Sequence, residues 1–281
     1  MLLEFVFTVC SVVSVLICLL TGCFDTFAWL WAIPVSFLGC FLVQAGLIYL
    51  VIFICGKAVD TEKPQENDSK FYRFIINRVA EIAIPVLSIS LTTKGLEKTP
   101  KDGRFLLVCN HVCDFDPVVL LRCFPKSQLT FVSKQENKNM FLVGNYMHKI
   151  MCPMVNREND REALKAILKC IEILKEDKAS VAVFPEGYIH KDKKLHHFRN
   201  GVFKIAQRTG VPIVVCTLHN TRFIPQNFKK LKRTKVQMHL LDVITPQQYQ
   251  GMTTMDLGAM IYDMMAADLG SENVSEEKGE L

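Results

Sequence analysis

The sequence predicts an α/β fold with a mainly parallel sheet covered by helices, preceded by an N-terminal hydrophobic helical hairpin. Three observations support this prediction. Half of the 281 residues are hydrophobic, two charge-free apolar runs occupy the first 60 residues, and short apolar segments alternate with helical patterns from residue 105 onward. Alternating strands and helices are typical of a parallel sheet with helices on both faces. The high apolar content excludes a disordered chain.

The apolar runs span residues 5–20 and 27–56. A membrane-spanning helix needs roughly 20 apolar residues, which the second run exceeds and the first approaches. A secretory signal peptide is the alternative for the first run, but its start carries Glu4 and no basic residue, and a second apolar run follows at once. Gly22 and Asp25 favour a turn between the runs. We therefore expect residues 1–60 to form a membrane-anchoring helical hairpin.

Charge is distributed unevenly along the chain. Residues 61–267 carry 31 basic and 20 acidic residues, and the segment 191–235 alone carries 12 basic residues and one acidic residue. A basic domain after a membrane hairpin is typical of the cytoplasmic face, where anionic lipids attract lysine and arginine. Nucleic acid is the other common partner of a basic patch, and we do not expect it because no nucleic-acid-binding motif is present. The acidic tail 268–281 is expected to be disordered.

The 11 cysteines are scattered and include no C-x-x-C pair. This pattern indicates neither a zinc knuckle nor a redox pair. An odd number of scattered thiols is typical of a reduced compartment, where most thiols are small buried hydrophobes.

Residues 61–92 are expected to form a polar linker followed by an amphipathic helix. Apolar residues recur there at helical spacing, and Pro85 is expected to end the helix near Ile84. Such a helix can lie at a membrane interface or pack on a core, and the sequence leaves both possibilities open.

The α/β domain itself is expected at residues 93–267. Strands are predicted at 105–109, 129–133, 154–156, 180–184, 212–217 and 236–244, and helices at 117–123, 160–175 and 201–208. The clearest apolar helix face consists of Leu164, Ile167, Leu168, Ile171 and Leu174. Functional residues of such sheets gather beyond the carboxyl ends of strands, which directs attention to 110–116, 157 and 185–190.

The first candidate site is N-H-V-C-D-F-D at residues 110–116. A neutral imidazole can accept a proton near neutral pH, and a carboxylate on its other nitrogen fixes the tautomer. His111 is therefore a candidate general base and Asp116 its orienting carboxylate. Asp114 is a rival orienter, and Asp116 before a proline is also typical of a helix N-cap. We expect no metal here, because these residues lack a further ligand at useful spacing.

Two other clusters follow predicted strands. Glu186 lies at the tip of a turn in V-A-V-F-P-E-G-Y, where Gly187 permits close approach of a ligand. Arg157 follows the strand in P-M-V-N-R-E, and a guanidinium can bind phosphate through two donors. Each of these residues alone is more typical of a solvated surface position.

The order and spacing of these motifs, followed by G-V-P-I-V-V, resemble the glycerolipid acyltransferase family, which contains 1-acyl-sn-glycerol-3-phosphate acyltransferases. The resemblance covers roughly residues 105–217. It implies a membrane-bound O-acyltransferase domain at 93–267 that moves a fatty acyl group from acyl-CoA or acyl carrier protein to the free hydroxyl of 1-acylglycerol 3-phosphate. The product would be phosphatidic acid, in phospholipid synthesis. The implied partners are membrane lipid, a lysophospholipid acceptor and the acyl thioester donor, with no cofactor.

The resemblance also implies roles for individual residues. His111 resembles the base that deprotonates the acceptor hydroxyl, and Asp116 its orienter. Acceptor-binding positions are implied at Asn110, Arg157, Pro185, Glu186 and Gly187. Pro212 is implied on the acyl-donor side.

The sequence departs from the family pattern at three places, of which the first bears on the acceptor. The F-P-E-G motif at 184–187 continues with Y-I-H at 188–190, where the family commonly has Thr-Arg-Ser, so a phosphate-facing arginine is missing. We expect Lys193, Lys194 or Arg199 to replace it as phosphate or donor contacts. Cys113 and Val215 replace a usual serine and a second proline.

Two alternative functions remain open from the sequence. One is acylation of another lysophospholipid, and the other is a non-catalytic membrane lipid-binding protein. The presence of His111, Asp116 and Glu186 favours an enzyme, because a binding protein would not need a base.

Overall fold

The computed structural model describes residues 2–156 and 160–276. The chain divides into two compact units, Met1–Asp60 and Thr61–Leu281. The described part of the first unit is helical, and the second unit contains the β-strands.

The first unit is a pair of apolar helices, α1 (Leu2–Leu20) and α2 (Trp29–Lys57). The chain turns between them at Gly22, whose φ of +67° suits glycine. The Phe7 ring stacks on the Phe37 ring with centroids 5.9 Å apart, and Gln44 Nε2 donates to Cys10 Sγ at 3.1 Å. Among the described helices, α2 alone is long and apolar enough to cross a membrane, while α1 is shorter. The predicted helical hairpin is therefore confirmed.

The second unit has eight strands and eight α-helices in its described residues. The strands are β1 Ile89–Lys94, β2 Leu106–Cys109, β3 Leu129–Phe131, β4 Ser133–Lys134, β5 Met154–Val155, β6 Ser180–Val183, β7 Ile213–His219 and β8 Thr234–Ile244. The helices are α3 Lys70–Val86, α4 Asp116–Cys123, α5 Val143–Lys149, α6 Asp160–Lys175, α7 Lys204–Thr209, α8 Ile224–Lys229, α9 Pro246–Tyr249 and α10 Thr254–Leu269.

Six strands form one sheet in the order β1-β8-β7-β2-β6-β3, and β4 pairs with β5. Neighbouring strands are parallel except β7 and β8, which are antiparallel. The predicted mainly parallel sheet is thus confirmed. Because β2, β6 and β7 are parallel, their carboxyl ends meet at one edge of the sheet.

Helices cover both faces of this sheet, and the side chains of β2 alternate between two cores. Leu107 and Cys109 pack with residues of α3 and α4, whereas Leu106 and Val108 pack with residues of α6, α7 and α10. Strands buried on both faces read as continuous apolar runs, which is why F-L-L-V-C was recognisable as a strand.

The segment before residue 93 differs from the prediction. α3 continues through Pro85 to Val86, because a proline in the last turn removes one helical hydrogen bond and Leu87 N–H still donates to Ala83 O at 2.9 Å. The next residues form β1, which pairs with β8 and was not predicted. The sheet domain therefore begins before residue 93, and α3 packs on its core through Ala80 and Ile84.

The buried face of α6 also differs. Its bounds are as predicted, and Ile171 and Leu174 are buried, but Leu164 is 52% exposed and Leu168 is 46% exposed. Small and apolar residues on a neighbouring stripe, including Cys170, face the sheet in their place.

The disorder expected for the tail is wrong for residues 268–276. α10 extends to Leu269, whose side chain is buried, and Ser275 N–H donates to Leu195 O at 2.9 Å. An apolar side chain and backbone pairing hold this segment despite its acidic composition. Residues 277–281 lie outside the described part of the chain.

Candidate active site

His111 and Asp116 meet just beyond the carboxyl end of β2. Nδ1 of His111 lies 2.9 Å from Oδ2 of Asp116, whose side chain is fully buried. The same oxygen accepts hydrogen bonds from the backbone N–H groups of Val112 and Cys113, each at 2.8 Å. These bonds come from the loop before α4, so Asp116 does not act as an N-cap, and Asp114 lies exposed beside it. The structure therefore selects Asp116 as the partner of His111.

The imidazole of His111 is held on both its edge and its face. Its ring stacks on Phe184 with centroids 4.0 Å apart and an interplanar angle of 16°. Nδ1 is hydrogen-bonded to Asp116, and Nε2 has no hydrogen-bond partner among the described residues. Since the side chain is 13% exposed, Nε2 is the nitrogen that a substrate can reach.

Glu186 joins two loops of the site. Its Oε1 accepts the backbone N–H of His111 at 2.7 Å, and its Oε2 accepts that of His196 at 3.1 Å. Burial raises the pKa of Glu186 to about 8, against the effect of these two donors and with a smaller contribution from Asp116. Because both oxygens accept bonds from backbone groups, Glu186 positions the His111 loop, and the substrate contact expected for it stays a prediction.

The turn after β6 lies against Arg199. Gly187 has φ +88°, and a Cβ at this position would lie 2.9 Å from Cδ and Nε of Arg199. The backbone N–H of Arg199 donates to Pro185 O at 2.8 Å, and its guanidinium lies 5.9 Å from the centre of the Tyr188 ring. Gly187 and Pro185 thus accommodate an arginine of this chain, where the sequence suggested a ligand.

Both polar atoms of the Asn110 amide bind the backbone of β7. Its Nδ2 donates to Leu218 O at 3.1 Å, and its Oδ1 accepts Leu218 N–H at 2.8 Å. The amide therefore ties the His111 loop to β7, which is a positioning role, while the acceptor-binding role implied for Asn110 stays a prediction.

Positive charge reaches the His111 loop from two sides. A small cavity is lined by Asn110 and Val112, which flank His111, and also by Lys193 and Arg222. Sequence reasoning had included Lys193 but missed Arg222. The available signal was the place of Arg222 just after β7, at the sheet edge to which the strand-end rule points.

The sequence also predicted contacts at Pro212, Lys194 and Arg157, and the structure places none of these three beside the cavity in its described residues. Pro212 precedes β7, and its carbonyl accepts Leu106 N–H at 3.0 Å, so it lies at the amino end of the sheet. β2 and β7 are parallel, which puts Pro212 at the opposite edge from His111 and makes its predicted contact wrong. Lys194 neighbours Lys193 but does not line the cavity, and Arg157 lies outside the described residues.

Comparison with known proteins points to one family. A family model described as Acyltransferase matches residues 90–219. A 1-acyl-sn-glycerol-3-phosphate acyltransferase of Borreliella burgdorferi is 27% identical over 182 residues, covering 63% of this chain and 72% of that protein. A chloroplast 1-acyl-sn-glycerol-3-phosphate acyltransferase of Arabidopsis thaliana is 34% identical over 154 residues, covering 54% of this chain and 42% of that protein.

A solved structure has a similar fold. The crystal structure of the 1-acyl-sn-glycerophosphate acyltransferase PlsC from Thermotoga maritima matches with a TM-score of 0.60 and 22% identity, over 80% of this chain and 87% of that chain. The region matched by the family model contains His111, Asp116 and Glu186. The chain therefore belongs to the glycerolipid acyltransferase family and is an O-acyltransferase.

Proposed function

We propose that this protein transfers a fatty acyl group from an acyl thioester to the free hydroxyl of 1-acylglycerol 3-phosphate, forming phosphatidic acid. The observation that carries the proposal is the His111–Asp116 pair, with a 2.9 Å contact and an accessible Nε2. The names of the Borreliella and Arabidopsis relatives support the choice of acceptor.

In the proposed reaction, Nε2 of His111 accepts the proton of the acceptor hydroxyl as that oxygen attacks the thioester carbonyl carbon. The C–S bond then breaks, and the leaving thiolate takes the proton from the imidazolium. Asp116 keeps the proton of Nδ1 in place and stabilises the imidazolium that forms. The acyl group passes directly from the thioester sulfur to the acceptor oxygen, so the mechanism uses no acyl-enzyme intermediate.

Lys193, Arg199 and Arg222 are the proposed contacts of the acceptor phosphate. Lys193 and Arg222 line the cavity beside the His111 loop, and Arg199 lies against Gly187. Charge-assisted hydrogen bonds to phosphate are about twice as strong as neutral ones. Together these side chains supply the positive charge of the arginine that is missing after the F-P-E-G motif. Arg157 remains a further candidate from the resemblance.

The proposed location is the membrane, with the catalytic unit on the cytoplasmic face. The apolar helix α2 is long enough to span the bilayer, and anionic lipid would attract the basic segment 191–235. Both acceptor and product are lipids, so an anchored enzyme stays with its substrates. Either acyl-CoA or acyl carrier protein can serve as the donor in this scheme.

A substrate panel tests the proposal. The full chain, purified in detergent, is given labelled acyl-CoA or acyl carrier protein together with lysophosphatidic acid, lysophosphatidylcholine or monoacylglycerol. We expect labelled phosphatidic acid to be the main product. Transfer to another lysolipid alone would replace the proposed acceptor, and lysolipid binding without any transfer would favour the lipid-binding alternative.

A further inference from the structure

A second cluster of ligand-type side chains lies apart from the His111–Asp116–Glu186 network. His219 is the last residue of β7, His239 lies in β8, and Asp268 lies in the last turn of α10. Nε2 of His219 is 2.7 Å from one Asp268 oxygen, and Nδ1 of His239 is 3.0 Å from the other. One donor atom from each residue falls within 4.8 Å of the other two.

Two imidazoles and one carboxylate form a donor set that zinc accepts, with an open fourth position. Tetrahedral zinc with bonds of about 2.0–2.2 Å places neighbouring donors roughly 3.3 Å apart. The separations of 2.7 Å from His219 to Asp268 and 3.0 Å from His239 to Asp268 need to widen by only a few tenths of an ångström to reach that value, and the two histidine nitrogens already lie within 4.8 Å of each other. Their side chains are 15–21% exposed, so an ion and a water molecule can reach them.

The carboxylate of this cluster has the supporting contact that metal ligands commonly have. The fully buried Thr217 donates its hydroxyl to Oδ2 of Asp268 at 2.5 Å. This bond fixes the orientation of the carboxylate between the two imidazoles.

We propose that His219, His239 and Asp268 form a zinc site that ties α10 to β7 and β8, with Thr217 supporting the carboxylate. This site adjoins the active site, because His219 itself lines the cavity that Lys193 and Arg222 share. The backbone of the preceding residue, Leu218, holds Asn110 of the His111 loop, so bound zinc stiffens the support of that loop.

Zinc titration of the full chain tests this site. The protein, purified in detergent and stripped with a chelator, is titrated with Zn²⁺ against a chromophoric chelator. We expect one tightly bound ion per chain and a higher Tm with zinc. Thr217→Val keeps all three ligands and should weaken affinity by about 10–100-fold, the usual effect of losing such a support. His239→Ala should weaken it further, while His197→Ala, an exposed histidine outside the cluster, should retain wild-type affinity.

The absorption spectrum of bound cobalt distinguishes binding at this site from binding by the cysteine thiols, and this measurement needs no variant. A histidine and carboxylate site gives cobalt d–d bands without the strong near-ultraviolet band of a cobalt–thiolate bond. Absence of zinc binding by the wild type, equal affinity of wild type and His239→Ala, or a thiolate band would each overturn the proposal. The cluster would then be a hydrogen-bonded clamp on α10 only.

Discussion

At the residue scale, Oδ2 of Asp116 organises the catalytic loop by accepting three hydrogen bonds. In Asp116→Asn the amide oxygen can keep the bonds from Val112 and Cys113, but the charge that stabilises an imidazolium on His111 is lost. We expect kcat to fall by about 10²–10⁴, the usual contribution of general base catalysis.

The matched control is Asp114→Asn, which alters an exposed carboxylate of the same loop and should leave kcat unchanged. Steady-state kinetics and thermal unfolding are measured on both variants. An Asp116→Asn protein with a lower Tm and a normal kcat would show that this carboxylate only stabilises the loop.

Glu186 predicts a pH dependence of stability. Its pKa is about 8 in the folded protein against an ordinary value of 4.5, so between these values the folded state holds a proton that the unfolded chain has released. Its contribution to the free energy of unfolding is complete below pH 4.5 and is lost as the pH rises to about 8. The expected slope is at most about 1.4 kcal/mol per pH unit.

Glu186→Gln isolates this titration from those of other groups. The difference in free energy of unfolding between variant and wild type, measured with denaturant at several pH values from 5 to 8, should shift steadily in favour of glutamine. A difference independent of pH would mean that the two backbone donors keep Glu186 ionised throughout this range.

At the element scale, the loops after β6 and β7 deliver the proposed phosphate contacts. Lys193→Ala and Arg222→Ala should each raise KM for lysophosphatidic acid by about 10–100-fold, because a hydrogen bond to a charged group contributes about 1.5–3 kcal/mol. KM for monoacylglycerol, which lacks the phosphate, should change little.

Lys191→Ala is the control, since it removes an exposed lysine from the loop that carries Lys193. Initial rates over a range of each acceptor give the KM values. Equal effects of Lys193→Ala on both acceptors would assign that lysine to the fold or to the donor, and not to the phosphate.

The elements also show what the sequence could predict. The loop from Asn110 to Asp116 was predictable because its strand, its motif and its bonds are close in sequence. The strand β1 was missed because its exposed side chains are mostly polar and its partner β8 lies far along the chain. The place of Arg222 after β7 was a usable signal, but the contact of Arg199 with Gly187 depends on how two separate segments meet, which no local pattern records. Pro212 begins the predicted strand 212–217 and so lies at the amino end of the sheet, and its contact was implied by the family resemblance alone.

At the scale of the whole molecule, the chain consists of two compact units, and the second has its own buried cores. We therefore expect a protein lacking residues 1–60 to fold and to lose tight membrane association. Weak binding to anionic vesicles through the segment 191–235 should remain and should disappear at high salt, because exposed charges are screened over about 8–10 Å.

Vesicle sedimentation at low and high salt measures both effects, with the full chain as control. Salt-resistant sedimentation of the truncated protein would contradict the proposed anchor. It would point instead to α3, where Phe71 is 56% exposed and Phe74 is 61% exposed.

The proposed reaction depends on His111 as the base of acyl transfer to lysophosphatidic acid. Its most direct test is the kcat of His111→Ala with acyl-CoA and lysophosphatidic acid, beside wild type and His197→Ala, with Tm measured for all three proteins. We expect a folded His111→Ala protein whose kcat is lower by about 10²–10⁴, and a normal kcat for His197→Ala. A folded His111→Ala protein that retains more than about a hundredth of the wild-type kcat would show that His111 is not the general base.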